Sequence, residues 1–194
     1  MRIILDAGHG GVNEKGEYVT AGKRSLHPVD GHVFYEGQNN RFYVQEMARM
    51  LTHNGYEVVY TVDPNDYTDV PLRERQTIAN KYHSEKDSIL ISMHSNAAHP
   101  AARGYEVFTR INACETSNKL AHEWIRQMQI LSPNQPNRGV KTANFAMVRV
   151  NCPAILLEVA FHTNDDEVRL MRHWKYRQNV ALSILNTIKN RVRN

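Results

Sequence analysis

Short apolar runs alternate along the chain with amphipathic stretches. The apolar runs are typical of buried strands, whereas apolar residues recurring at intervals of three and four predict helices that pack on one side. The strands predicted in this way cover residues 2–5, 56–61, 88–93, 104–109, 145–150 and 154–159. The predicted helices cover residues 38–54, 72–82, 115–131 and 174–192, and a further helix begins after residue 164.

Strands that alternate with helices predict an α/β fold in three layers, a mixed and mostly parallel central sheet of about six strands flanked by helices. The 194 residues, of which 41% are hydrophobic, suffice for one core, and no break in composition divides them. We therefore expect residues 1–194 to form a single domain. Residues 12–35 and 132–144 are predicted loops, and we expect the first to form a wall of a functional site.

The net charge of +4 is unevenly distributed, because residues 168–194 contain seven Lys or Arg residues and no acid. One interpretation is that this basic helix binds an anionic polymer. The other, which we favour, is a solvated helix face whose cations suit the negative end of the helix dipole. We expect no nucleic-acid partner, since no groove-reading motif accompanies the charge. The cations considered are Arg172, Lys175, Arg177, Lys189, Arg191 and Arg193.

Three further features limit the class of protein. No apolar run approaches the roughly 18 residues that a membrane-spanning helix needs. Met1 leads directly into a predicted strand, so we expect no signal peptide in this chain. Cys114 and Cys152 lack the spacing of a thiolate metal site and are expected to be ordinary thiols, with a single disulfide between them left open.

His9 is the first candidate for chemistry, because it follows a predicted strand and has glycine on both sides. Ligands bind at such strand ends in α/β sheets, although a lone histidine between glycines is also common in ordinary turns. Glu36 at a helix entrance and His94 after the strand 88–93 supply two more residue types that bind metals. Glu158 interrupts an apolar strand, where a carboxylate is costly unless it is paired, solvated or near a metal.

These four positions lie in motifs that resemble those of the zinc-dependent N-acetylmuramoyl-L-alanine amidases of bacterial autolysins, sporulation hydrolases and phage endolysins. The resemblance covers nearly the whole chain. Arg138-Gly139 and residues 145–149 also look like the stretch before the family's last strand. The principal motifs are Asp6-Ala7-Gly8-His9-Gly10-Gly11, Glu36 followed by Asn39 or Asn40, Ser92-Met93-His94-Ser95-Asn96, and Leu157-Glu158-Val159-Ala160-Phe161-His162-Thr163-Asn164.

The resemblance implies that His9, Glu36 and His94 bind Zn²⁺ and that Glu158 is the catalytic carboxylate. It also implies a peptidoglycan substrate, cut at the amide between the lactyl group of N-acetylmuramic acid and L-alanine of the stem peptide. Two imidazoles and one carboxylate are a common catalytic zinc set. The enzyme is expected to act on the cell wall, either as a phage endolysin released at lysis or as a secreted enzyme whose leader has been removed.

The sequence departs from the family pattern at His162, where an aliphatic or small residue is more usual. With His27 and His32 it offers alternative ligands, although we do not favour a change of ligand set. Asp6 and Asn96 are expected to orient the two histidines.

Two other functions remain open on the same scaffold. A zinc peptidase would cut within the stem peptide, and a non-catalytic module would bind the wall without turnover. The oligomeric state is not determined by the sequence, and we favour a monomer.

Overall fold

The computed structural model describes residues 1–192, so Arg193 lies outside the described residues. Over this range the chain forms six strands, five α-helices and one turn of 3₁₀ helix, spanning Ala146–Val148. The strands are β1 (Arg2–Ala7), β2 (Glu57–Tyr60), β3 (Ser88–Asn96), β4 (Tyr105–Thr109), β5 (Asn137–Thr142) and β6 (Ala154–Phe161). The α-helices are α1 (Glu36–His53), α2 (Leu72–Glu85), α3 (Glu115–Leu131), α4 (Asp165–Arg172) and α5 (Trp174–Val192).

The six strands form one sheet in the order β2-β1-β3-β6-β4-β5. Strand β4 runs antiparallel to β6, and the other neighbouring pairs are parallel. The predicted mixed, mostly parallel sheet is thereby confirmed. The three most apolar strands, β1, β3 and β6, lie at the centre, because a strand buried on both faces needs apolar residues throughout.

The two faces of the sheet are covered unequally. One face, with Ile3, Ile89 and Ile155, packs in the main core against α1, α3 and α5. The opposite face, with Ile4 and Leu90, contacts a smaller cluster formed with α2 and the 3₁₀ turn. The predicted three layers are present, and the thinner layer leaves room for a cleft.

The prediction for residues 132–150 was wrong. The expected loop contains the edge strand β5, and the expected strand 145–150 contains the 3₁₀ turn. An edge strand pairs on one side only, so β5 needs no apolar run, and its residues are exposed or half-buried. The apolar residues Met147, Val148 and Val150 are buried as predicted, but a short apolar run does not distinguish a strand from a buried turn.

Element ends follow local signals in the sequence. Helix α1 ends before Gly55, whose φ of 80° is readily adopted only by glycine at a helix end. The side chain of Asn164 caps α4 by accepting a hydrogen bond from the amide of Glu167 at 3.1 Å. Strand β3 runs three residues further than predicted, so His94 lies within the strand and not after it, and β6 runs two residues further than predicted.

Residues 12–35 form the predicted loop, with isolated bridges and no α-helix. Arg169 of α4 forms an ion pair with Asp30 at 3.0 Å. Arg172 donates hydrogen bonds to the carbonyl oxygens of Val29 and His32 at 2.7 and 2.8 Å. The start of the basic region therefore holds this loop in place.

Other cations of the basic region also contact the chain itself. The guanidinium of Arg177 lies 5.0 Å from the centre of the Phe42 ring, and Lys189 donates to Asn54 at 2.6 Å. These contacts favour the interpretation of the basic region as a helix face with a structural role over its interpretation as a binding site for a polymer. The two cysteines are free thiols. Within residues 1–192, no helix combines the length and apolar character needed to cross a membrane.

Candidate active site

One row of positions runs across β4, β6 and β3 to the residue that follows β1, on the thinly covered face of the sheet. His94 of β3 is in register with Glu158 of β6, which is in register with Glu106 of β4. Gly8 follows β1 and comes next to His94, because Ala7 is paired with Met93. Residues in register share a sheet face, so the strand pairing itself brings these positions together.

Gly8 makes room for the His94 ring. A Cβ atom at Gly8 would lie 2.1 Å from Cε1 of His94, far inside van der Waals contact. The absent side chain therefore lets the imidazole lie directly against the backbone of the neighbouring strand.

The turn after β1 places His9 in the left-handed region, with a φ of 64°. This conformation costs a non-glycine residue about 1–3 kcal/mol and persists only where surrounding contacts impose it. Two buried arginines provide such contacts. The His9 carbonyl accepts hydrogen bonds from Arg41 at 2.9 Å and from Arg75 at 3.2 Å.

The first turn of α1 brings Glu36 to the two histidines. Its Oε1 lies 3.4 Å from Nε2 of His9 and 3.1 Å from Nδ1 of His94, and it accepts the amide of Ser95 at 3.2 Å. The potential ligand atoms of His9, Glu36 and His94 all lie within 4.8 Å of one another. The three residues predicted to bind a metal thus converge at one point.

The charges within this group are coupled. Burial acts to raise the pKa of Glu36, but hydrogen bonds to His9 and His94 outweigh it and hold that pKa well below its ordinary value. Burial likewise opposes charge on His94, and the hydrogen bond to Glu36 reverses the effect and raises the pKa of His94. Glu36 is therefore an anion in the interior of the protein.

Glu158 lies in the same cleft, whose volume is about 340 Å³. Burial, with a further contribution from the charges of Glu36 and Glu106, raises the pKa of Glu158 to about 8 against the opposing effect of His94. Its buried Oε2 has no hydrogen-bond partner among residues 1–192. Glu158, the predicted catalytic residue, therefore lines the cleft with one carboxyl oxygen that no described residue holds. A larger groove of about 940 Å³ between α3 and α5 holds none of the predicted site residues.

The alternative histidine ligands considered from the sequence do not join the three residues. His162 is buried, with Nδ1 3.0 Å from the hydroxyl of Ser95 and 3.8 Å from Oε2 of Glu36. His27 is exposed and lies 3.5 Å from Asp165. Neither belongs to the group whose ligand atoms converge.

The expectation that Asp6 and Asn96 orient the histidines was wrong. Asp6 binds Arg75, Ser92 and Thr61, and Asn96 donates to Glu106 at 2.6 Å. Aspartate and asparagine can orient a histidine through a hydrogen bond, but the register of the strands places Asp6 and Asn96 against other partners.

The sequence and the fold match a known family. A family model described as N-acetylmuramoyl-L-alanine amidase matches residues 3–190. The chain belongs to this family. It is accordingly a peptidoglycan hydrolase, and amidases of this family are generally metal-dependent.

Two solved structures of amidases share the fold over nearly their whole length. An N-acetylmuramoyl-L-alanine amidase from Clostridium difficile 630 is 27% identical, with a TM-score of 0.83, and the match covers 100% of this chain and 97% of that one. The amidase AmiC2 of Nostoc punctiforme is 23% identical, with a TM-score of 0.81, and the match covers 100% and 98% of the two chains. The probable cell wall amidase LytH of Staphylococcus epidermidis is 25% identical to this chain. The match covers 96% of this chain and 57% of LytH.

The sequence analysis did not predict the roles of two groups of residues in this amidase. Arg41 and Arg75 support the His9 turn, and each is at most 2% exposed. A charged residue in an amphipathic helix ordinarily lies on the solvated face, so the hydrophobic pattern does not indicate that these two arginines are buried. The second group is an ion-pair cluster beside Glu158, formed by Glu106, Arg138 and Lys141. It could not be predicted without the position of β5, which carries both cations.

The raised pKa of Glu158 predicts a pH-dependent stability of the metal-free amidase. Glu158 binds its proton more tightly in the folded state than in the unfolded state. Its contribution to the free energy of unfolding is therefore complete below the unfolded pKa of 4.5 and is lost as pH rises to about 8. Relative to Glu158→Gln, the free energy of unfolding of the unaltered protein should fall across pH 5–8, by at most about 1.4 kcal/mol per pH unit.

Urea unfolding in the presence of a chelator measures this difference. Glu115→Gln, which removes an exposed carboxylate of α3, is the control and should not reproduce the profile. Parallel stability curves for the Glu158→Gln and unaltered proteins would contradict the raised pKa.

Proposed function

We propose that residues 1–194 form a single zinc-dependent amidase domain in which His9, Glu36 and His94 bind Zn²⁺ and Glu158 is the catalytic base. The reaction is hydrolysis of the amide between the lactyl group of N-acetylmuramic acid and L-alanine of the stem peptide. One observation carries the proposal. The His-Glu-His group and the uncommitted carboxylate of Glu158 face the same cleft from adjoining elements.

The three side chains fit a zinc ion by their chemistry. Two imidazoles and one carboxylate are a common catalytic zinc set, and three protein ligands leave a position for water or substrate. The charge of the ion would compensate the buried anion of Glu36. When bound, zinc lowers the pKa of water to about 7 and polarises a carbonyl.

Glu158 moves the proton in the proposed reaction. It accepts a proton from the water that attacks the lactyl carbonyl, and it then donates that proton to the nitrogen of L-alanine as the amide bond breaks. Its unpartnered Oε2 supports this role, because the carboxylate lines the cleft and no other described residue holds that oxygen.

The surroundings of the cleft suit an extended substrate. Leu72 and Phe145 line it and are 58% and 41% exposed, which gives the open cleft an apolar rim. We place the action of the protein at the cell wall, where the polymer is found. Binding of an anionic wall polymer through the basic helix stays a separate hypothesis, since several of its cations contact the chain itself.

Product masses test the proposed function. Purified peptidoglycan treated with the zinc-loaded protein should release complete stem peptides with a free L-alanine amine. Glu158→Gln should slow release by about 100-fold or more, since a general base contributes roughly that factor or a larger one. Fragments cut within the peptide would indicate a peptidase, and wall binding without release would indicate a non-catalytic module.

Gly8→Ala tests the metal site apart from turnover. The added Cβ would displace the His94 ring, so we expect the affinity for Zn²⁺, measured by competition with a chelator, to fall by about tenfold or more. Gly16→Ala is the matched control, because nothing lies within 4 Å of its new Cβ, and the strain from its φ of 80° is confined to the exposed loop away from His94. Unchanged zinc affinity in a folded Gly8→Ala protein would contradict the assignment of His94.

A further inference from the structure

A cluster of opposite charges lies one strand beyond Glu158. Glu106 of β4 is 3% exposed, and its Oε2 lies 2.7 Å from Nε of Arg138 and 2.5 Å from Nζ of Lys141. Its Oε1 accepts a hydrogen bond from Nδ2 of Asn96 at 2.6 Å. Both oxygens of the carboxylate are thus occupied, and its two cations come from the edge strand β5.

The cluster adjoins the catalytic cleft at two points. Asn96 lines the cleft and is joined to both cations through the Glu106 carboxylate. Phe145 also lines the cleft and contacts Phe108, with 5.0 Å between ring centres, while Nζ of Lys141 lies 5.9 Å from the centre of the Phe108 ring. Lys141 therefore stands beside the wall of the cleft.

The charges of the cluster do not cancel. Two cations share one carboxylate, and the side chains of Arg138 and Lys141 remain 37% and 38% exposed. The ammonium of Lys141 has three N–H groups and donates one to Glu106, and Nη2 of Arg138 has no partner among residues 1–192. The cluster therefore has one net positive charge, and Arg138 and Lys141 retain N–H donors that could bind an anion.

The position of the cluster matches an acidic group of the stem peptide. Neighbouring strands lie about 4.8 Å apart, so Glu106 is one such step from Glu158. One peptide residue advances a chain by about 3.8 Å, so a stem peptide that runs from Glu158 across β4 would bring the residue that follows L-alanine to the cluster.

We propose that Arg138 and Lys141 form a subsite for the carboxylate of the stem-peptide residue that follows L-alanine. The inference rests on the proposed amidase function and adds a source of specificity to it. A carboxylate receives charge-assisted hydrogen bonds from the two cations, whereas the corresponding amide brings no charge to them. Glu106 keeps the two side chains aligned.

The competing explanation is that Arg138 and Lys141 serve only to neutralise the buried Glu106. A structural role and a substrate-binding role can be distinguished by measurement. Loss of a purely structural contact would change the hydrolysis of every substrate by the same factor. Loss of the subsite would change only the hydrolysis of substrates that carry the carboxylate.

The test compares two synthetic muramyl peptides that differ only in the second residue, which carries a free α-carboxylate in one and its amide in the other. The proteins are the zinc-loaded unaltered chain, Lys141→Met, Lys141→Arg and Lys119→Met. Lys141→Met leaves Arg138 paired with Glu106, so no buried carboxylate loses its only cation. Lys119→Met is the matched control, because it breaks a Lys–Glu pair of 2.9 Å on α3, outside the cleft.

We expect Lys141→Met to lower kcat/KM for the acid by about tenfold, mainly through KM, and to leave the amide within about twofold. Lys141→Arg should retain the preference for the acid, and Lys119→Met should change neither substrate. An equal loss on both substrates, or no loss on the acid, overturns the subsite while the amidase function stands. If the unaltered protein frees L-alanine amines from neither peptide, the proposed function fails and the subsite with it.

Discussion

Glu36 carries a negative charge that the interior of the protein has to balance. The carboxylate is almost fully buried at the start of α1 and shares one oxygen between His9, His94 and the amide of Ser95. Three segments far apart in the sequence are tied together by this single group. Glu36 links the start of α1, the turn after β1 and the end of β3, and removal of either imidazole would leave a poorly compensated buried charge.

The turn at His9 is the most closely supported part of the backbone near this carboxylate. Arg41 and Arg75 bind its carbonyl oxygen from two helices, and Arg75 is itself paired with the buried Asp6 at 3.1 Å. Gly37 allows α1 to approach, because a Cβ there would lie 1.9 Å from the carbonyl oxygen of Gly10. A left-handed conformation that is unfavourable in isolation is thus fixed by buried charges and close backbone packing.

Much of this arrangement could be predicted from the sequence. Continuous apolar runs identified β1, β3 and β6, and the unusual position of Glu158 in such a run marked it as a candidate. Edge strand β5 was missed because pairing on one side imposes no apolar pattern. The roles of Arg75 and Glu106 were missed because they depend on which strands are neighbours, and hydrophobic periodicity contains no information on strand order.

The central claim is that His9, Glu36 and His94 hold the metal. Crystals of the protein grown with zinc, measured on both sides of the zinc absorption edge, test it most directly. The account predicts one strong anomalous peak in the cleft, in contact with those three side chains and facing Glu158. A peak that instead includes His162 or His27, or the lack of any peak in the cleft at saturating zinc, would contradict it.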